Sequence, residues 1–265
     1  MKHEQKPGRV IMNFTGVYDD LSEEKVLYFT DLEGTDGYCS EEAKQVIRER
    51  IREYPAEGIH YLDSGNYHYL SELWLEKIRQ PFQLAMLDHH TDMQPSALLP
   101  LTSCGNWLLE CLDTNRFLKK VWLIGPPKES FAELTAEDRA RVCFIEQEQA
   151  DRGCIEELMS GFDPRLPVYL SVDKDILSED VLSTNWDQGS MTLERLKEWI
   201  GFFAGHGTII GMDLCGEEVH NEFRHVSEGY SDRLRTDEGK GSGTEINREL
   251  ETMLAAVESG PAEAK

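Results

Sequence analysis

Several things are missing from this chain. No apolar run approaches the roughly 20 residues needed to cross a bilayer, so neither a membrane span nor a membrane partner is expected. Basic residues are scarce. There are 27 Lys and Arg against 50 Asp and Glu, a formal net charge of −23, and this excludes a nucleic-acid partner, which would need a basic footprint for phosphate. The six cysteines (Cys39, Cys104, Cys111, Cys143, Cys154, Cys215) include no CxxC pair. In a chain of this length they read as reduced thiols of a cytoplasmic protein rather than as a disulfide framework. The segment Met1 to Arg9 is polar and leads straight into a strand-like stretch, so no secretory leader is expected. Linkers and internal repeats are absent too, which favours one domain over residues 1–265.

What is present is an alternation of short β-branched runs with segments of helical period, the pattern of a parallel sheet with crossover helices. Strands are expected at Val10–Phe14, Lys25–Thr30, Gly58–Leu62, Phe82–Leu87, Lys120–Ile124, Val142–Ile145, Pro167–Val172 and Thr208–Leu214. Helices are expected from a Ser40 cap to about Tyr54, and at Tyr69–Arg79, Cys104–Leu112, Thr135–Arg141, Cys154–Met159, Met191–Ala204 and about Thr244–Val257. Residues 226–243, polar and glycine-rich, read as a mobile loop. The fold class is therefore α/β: a single-domain three-layer α/β/α sandwich on a mostly parallel sheet of about eight strands. Ligands of such sheets bind at the carboxyl ends of the strands.

Three strand ends carry unusual chemistry. Phe82–Leu87 runs into Asp88-His89-His90-Thr91-Asp92, and Pro167–Val172 runs into Asp173-Lys174-Asp175. Side chains two apart on an extended backbone share a face, so Asp88, His90 and Asp92 are expected to converge, as are Asp173 and Asp175. Gly58–Leu62 leads through Asp63-Ser64-Gly65-Asn66-Tyr67 to His68. Together these supply four carboxylates and two imidazoles, a concentration of like charge that repels itself or takes up protons unless cations neutralise it. A pair of divalent ions would do so, and mixed carboxylate and imidazole ligation suits Mn²⁺. Helix caps or loop acids that merely follow strands are the plainer alternative.

The motif Asp88-His89-His90-Thr91-Asp92 resembles the Asp-x-His-x-Asp signature of the ureohydrolases (arginase, agmatinase, formimidoylglutamase). Ser171-Val172-Asp173-Lys174-Asp175 resembles their Ser-x-Asp-x-Asp signature, and Gly65-Asn66-Tyr67-His68 stands where they carry Gly-Gly-Asp-His. The resemblance spans Gly58 to Glu217. It implies an arginase-like fold and two Mn²⁺ per chain, one held by His68, Asp88, Asp92 and Asp173, the other by Asp88, His90, Asp173 and Asp175. It further implies that a hydroxide bridging both ions, oriented by Asp92, attacks a guanidinium or amidine carbon of a cationic or polar small molecule. Ser103 and Asn106, in Ser103-Cys104-Gly105-Asn106, would hold the substrate, and a homo-oligomer is compatible with the family.

The chain also departs from that pattern. Leu108 stands where arginase has its proton-shuttling histidine. Glu217, in Asp213-Leu214-Cys215-Gly216-Glu217, comes one residue later than the glutamate that clamps the guanidinium; a glycine bulge could re-aim it as a catalytic and substrate-binding group. Lys174 replaces an apolar residue and would either reach solvent or pair with a carboxylate. His220 and His225 are candidate replacement shuttles, although a surface role explains them as well. Asp31 and Glu33 end an earlier strand and could touch substrate. Two further readings stay open: a divergent metal-binding protein without ureohydrolase activity, and a deacetylase-like amidohydrolase.

Overall fold

The computed structural model describes residues 8–21, 25–95, 101–219 and 242–258. Most of the loop expected at 226–243, together with His220 and His225, lies outside them. The strands are β1 (Arg9–Asn13), β2 (Val26–Tyr28), β3 (Tyr38–Cys39), β4 (Gly58–Tyr61), β5 (Phe82–Leu87), β6 (Thr102–Ser103), β7 (Leu118–Ile124), β8 (Cys143–Ile145), β9 (Val168–Asp173) and β10 (Ile209–Cys215). The α-helices are α1 (Glu41–Arg50), α2 (Leu70–Leu75), α3 (Trp107–Thr114), α4 (Lys128–Glu133), α5 (Ala136–Arg139), α6 (Gln147–Arg152), α7 (Ile155–Leu158), α8 (Leu193–His206) and α9 (Gly243–Glu258). No helix among the described residues is long and apolar enough to cross a membrane.

Eight strands form one sheet in the order β2-β1-β4-β10-β9-β5-β7-β8, and every pairing in it is parallel. Between β4 and β5 the chain skips two positions, which β9 and β10 later fill. The carboxyl ends of β4, β9 and β5, where the sequence placed its chemistry, are thereby gathered at the middle of one sheet edge.

Period-2 alternation gives this sheet a core on each face. Phe82, Leu84 and Met86 of β5 pack with Ile47, Trp74, Trp107 and Leu108 from α1, α2 and α3. Ala85 and Leu87 face the other way, into a cluster with Trp199, Ile200 and Phe203 of α8 and Ile246, Leu250 and Leu254 of α9. Each such Leu, Ile, Phe or Met side chain, fully buried, stabilises the fold by about 1.5–3 kcal/mol. The result is the expected α/β/α arrangement.

Local signals explain the helix starts. Ser40 Oγ accepts the Ala43 N–H at 3.1 Å, and Thr192 Oγ1 accepts that of Arg195 at 3.2 Å, each filling an orphan donor. The first helix ends at Arg50 rather than near Tyr54. The helix expected to reach Arg79 stops as α2 at Leu75, because 3₁₀-type bonds from Lys77 and Ile78 tighten its end ahead of Pro81. The pair β3–β6, antiparallel and two residues per strand, is too short to carry a readable period.

Asp63, two residues beyond the end of β4, pins neighbouring loops together. Its fully buried carboxylate accepts the N–H groups of Phe14 (2.8 Å), Thr15 (3.0 Å) and Ser64 (2.7 Å) and the Thr15 hydroxyl (2.8 Å). Its φ of 75° is left-handed, which Asp tolerates better than most residues. We expect Asp63→Ala, which strands these donors, to lower the unfolding free energy by on the order of 3 kcal/mol in urea titration. A denaturation midpoint equal to that of the wild type would refute this role.

Candidate metal centre

The sheet edge brings the expected ligands together, though not by the expected route. β5 ends at Leu87, so residues 88–92 form a loop rather than an extension of the strand. Asp92 takes a left-handed φ of 48° within it. Convergence therefore comes from loop curvature, not strand alternation. His68 follows a 3₁₀ turn at Gly65–Tyr67, just before α2, and Asp173 is the last residue of β9.

Two sets of donor atoms form, each lying within 4.8 Å: His68, Asp88 and Asp92, and Asp88, His90 and Asp175. Asp88 belongs to both. His68 Nδ1 lies 3.0 Å from Asp88 Oδ2 and 3.1 Å from Asp92 Oδ2, while His90 Nδ1 lies 2.8 Å from Asp175 Oδ2 and 3.6 Å from Asp88 Oδ1. Asp173 stands beside the first set, with Oδ2 3.7 Å from His68 Nδ1. Backbone bonds fix the acids: His90 N–H donates to Asp88 Oδ1 at 2.5 Å, His89 N–H to Asp175 Oδ1 at 3.1 Å, and Asp175 N–H to Asp173 Oδ1 at 3.0 Å.

Titration behaviour shows what this cluster demands. Burial, the largest effect, and the charge of Asp88 lift Asp92 to about 6, and the same two causes raise Asp173. Asp175 is pushed well above the carboxylate range by burial, Asp173 and Asp88. Burial would lower both imidazoles, but bonds to the acids outweigh it, holding His68 well above its usual value and His90 up at about 12. Asp88 alone is held low, because bonds from both histidines overcome its burial. The cluster thus binds positive charge strongly, here as protons. An all nitrogen-and-oxygen donor set with this demand fits divalent cations such as Mn²⁺, and the shared Asp88 fits a pair of them.

A cleft of about 610 Å³ opens over these residues, bounded by Tyr38, Asn66, Ser103, Cys104 and Trp186 among others. Six of its described lining residues are acidic (Asp36, Asp88, Asp92, Glu133, Asp173, Asp175), and none is Lys or Arg. Trp186 meets the His90 ring edge-on, with centroids 5.5 Å apart, and its Nε1 donates to Asn66 Oδ1 at 2.8 Å. Gly65 is required beneath it, since a Cβ there would stand 2.7 Å from the indole.

The other expected site residues divide among the cleft, the protein interior and the surface. Ser103 does line the cleft. Asn106 does not: it is buried, accepting the Ser103 N–H at 2.6 Å and donating to Leu101 O at 2.9 Å, and so it shapes the loop. Leu108 is fully buried in the core. Asp31 pairs with Arg50 at 3.2 Å rather than lining the cleft. Glu217 is the main correction. It is 3% exposed, outside the cleft lining, and its Oε1 receives Lys174 Nζ (2.6 Å), Asn247 Nδ2 (2.6 Å) and the Tyr18 hydroxyl (3.0 Å). Gly216, at φ 86°, turns it there; a side chain at that position would collide with Asp173 Oδ1. Trp107 Nε1 donates to Asp92 Oδ2 at 2.5 Å, a role that the sequence signalled only by its nearness to the motif.

No protein-family profile matches the chain. An uncharacterised protein of Thermotoga maritima is 27% identical over 227 residues, 82% of this chain and 83% of that one. The fold is shared with solved ureohydrolase structures. Proclavaminate amidino hydrolase from Streptomyces clavuligerus aligns at TM-score 0.62 and 15% identity, covering 98% of this chain and 95% of its own. The agmatine ureohydrolase of Thermoplasma volcanium aligns at 0.61 and 14%, covering 96% and 90%. Trypanosoma cruzi formiminoglutamase with Mn²⁺ aligns at 0.60 and 10%, covering 97% and 96%.

Lys174 has no exposed side-chain surface, so removing either partner of its pair leaves a buried charge. We expect Lys174→Met to reduce stability by about 3–5 kcal/mol. The double variant Lys174→Met/Glu217→Leu should recover most of that loss in chemical denaturation. A single variant as stable as wild type would contradict the pairing.

Proposed function

We propose that this chain is a divalent-metal-dependent hydrolase, using two Mn²⁺, that cleaves a C–N bond of a guanidino, amidino or related small molecule. The observation that carries the reading is the pair of donor sets sharing Asp88 at the carboxyl edge of the sheet. The fold in common with agmatine ureohydrolase and proclavaminate amidino hydrolase supports it. His68, Asp88, Asp92 and Asp173 would hold one ion, and Asp88, His90, Asp173 and Asp175 the other. When bound, the ions would supply Lewis acidity, acidifying water and offsetting negative charge that develops on the substrate.

The chain's own groups define the rest. The acidic lining, with no described Lys or Arg, favours a cationic substrate over an anionic one. A volume near 610 Å³ suits a metabolite rather than a polymer. Asp92, whose Oδ2 is fixed by the Trp107 indole, would orient an attacking water. Trp186 and Tyr38 offer flat walls at the mouth.

A second reading, a metal-binding protein without turnover of the known ureohydrolase substrates, draws on Leu108 and Glu217. The first is buried in the core and the second is engaged by Lys174, so neither acts in the cleft.

Purified protein should retain close to two Mn²⁺ per chain by metal analysis, and Asp88→Asn should lose both. Loading should release protons, with affinity falling as pH drops, because His90, lifted to about 12, must give up its proton to ligate. Product release from arginine, agmatine, guanidinobutyrate or formimidoylglutamate separates the two readings, and Asp92→Asn should abolish it. A fully loaded protein inert on all four would favour the second reading, whereas a single tightly held Zn²⁺ would contradict the two-Mn²⁺ reading and favour a deacetylase-like amidohydrolase.

A further inference from the structure

The face of His68 turned away from the carboxylates is also engaged. Nε2 lies 2.9 Å from Ser171 Oγ on β9. That hydroxyl donates to Asp213 Oδ1 on β10 at 2.7 Å and lies 3.2 Å from Ser71 Oγ on α2. His68 is 1% exposed, and Ser71, Ser171 and Asp213 are fully buried, so water cannot substitute for any member of the chain.

Proton bookkeeping gives this chain a direction. A carboxylate only accepts, so Ser171 directs its single hydroxyl proton to Asp213. Towards His68 it can then only accept, and Nε2 must carry a hydrogen. Nδ1, at 3.0 and 3.1 Å from Asp88 and Asp92, is the nitrogen left to offer a lone pair to a cation. Outer partners of this kind fix the tautomer and ring orientation of a ligating histidine. His90 is built differently: its side chain is 33% exposed, and the rings of His89 and Trp186 meet it edge-on.

We propose that Ser171 and Asp213 are positioning residues for His68, setting the metal affinity of the His68–Asp88–Asp92 position and not that of the Asp88–His90–Asp175 position. The proposal rests on the two-ion reading above. It concerns residues that touch neither metal nor substrate.

The test compares wild type, Ser171→Ala and Asp213→Asn by Mn²⁺ calorimetry, with electron paramagnetic resonance to count coupled ion pairs. Ser171→Ala removes the acceptor for Nε2–H, and Asp213→Asn keeps the shape but removes the charge that orders the hydroxyl. Each should weaken one of two binding steps by about 10–100-fold and leave the other within about threefold. In protein loaded with diamagnetic Mg²⁺, the wild-type His68 Nε2–H should give a slowly exchanging ¹H–¹⁵N signal that Ser171→Ala loses. Equal weakening of both steps would point to general damage and overturn the proposal, as would two unchanged steps. Wild type that binds no Mn²⁺ would overturn the two-ion reading and this proposal with it, whereas wild type binding two ions beside unaffected variants would overturn the proposal alone.

Discussion

Everything at the sheet edge follows from one electrostatic constraint. Asp88, Asp92, Asp173 and Asp175 are at most 6% exposed and lie close enough to raise one another's proton affinity. Left to itself such a group would separate or neutralise. The fold opposes separation by mounting each acid on a rigid support: the end of a central strand, a backbone N–H, or the Trp107 indole. Neutralisation then falls to whatever cation reaches the cleft, and the two histidines show how strong that demand is by holding protons far above their usual range.

The same constraint explains the placement of Lys174. It stands between two of these acids in sequence, and an ammonium turned into the cleft would satisfy the cluster internally. Instead its side chain faces away, to Glu217 and Asn247. Asp173 and Asp175 lie on the cleft side, Lys174 on the other, and the charge of the lysine is taken up by a glutamate that never enters the cleft. The cleft keeps its negative potential, and α9 is tied to the strand that carries the ligands.

Much of this was legible in the sequence because it is local. Strand periods, the Ser40 and Thr192 caps and the placement of Asp88, His90, Asp92, Asp173 and Asp175 at strand ends all depend on neighbouring residues. His68 could be placed because the strand before it has a readable period. What escaped depends on distant parts of the chain. Glu217 has the right spacing for a cleft residue, yet its orientation is decided by Lys174, 43 positions away, and by Asn247, 30 positions away. Asn106 and Leu108 follow a loop whose course is set by the two-residue ribbon β3–β6, below the length at which alternation can be read. The chain from His68 to Asp213 joins three strand regions through Ser171, and no spacing in the sequence announces it.

These misses fall on one side of the site. The carboxylates and imidazoles of the cluster occupy the positions the motifs imply, while Asn106, Leu108 and Glu217 are turned into the protein. The groups that do reach the cleft mouth are Asp36, Tyr38, Asn66 and Trp186, and three of them form a single hydrogen-bonded row: Trp186 to Asn66, and Asn66 to Asp36 at 2.6 Å. That row joins the loop before β3, the turn before His68 and the segment after β9. A molecule approaching the cluster therefore meets an indole, an amide and a carboxylate fixed relative to one another and to His90. A cluster of carboxylates and imidazoles matching the ureohydrolase motifs thus sits beneath an entrance this chain has built from other residues. The resemblance extends to the acidic cluster and to Ser103 at the cleft wall, and stops short of Asn106, Leu108 and Glu217.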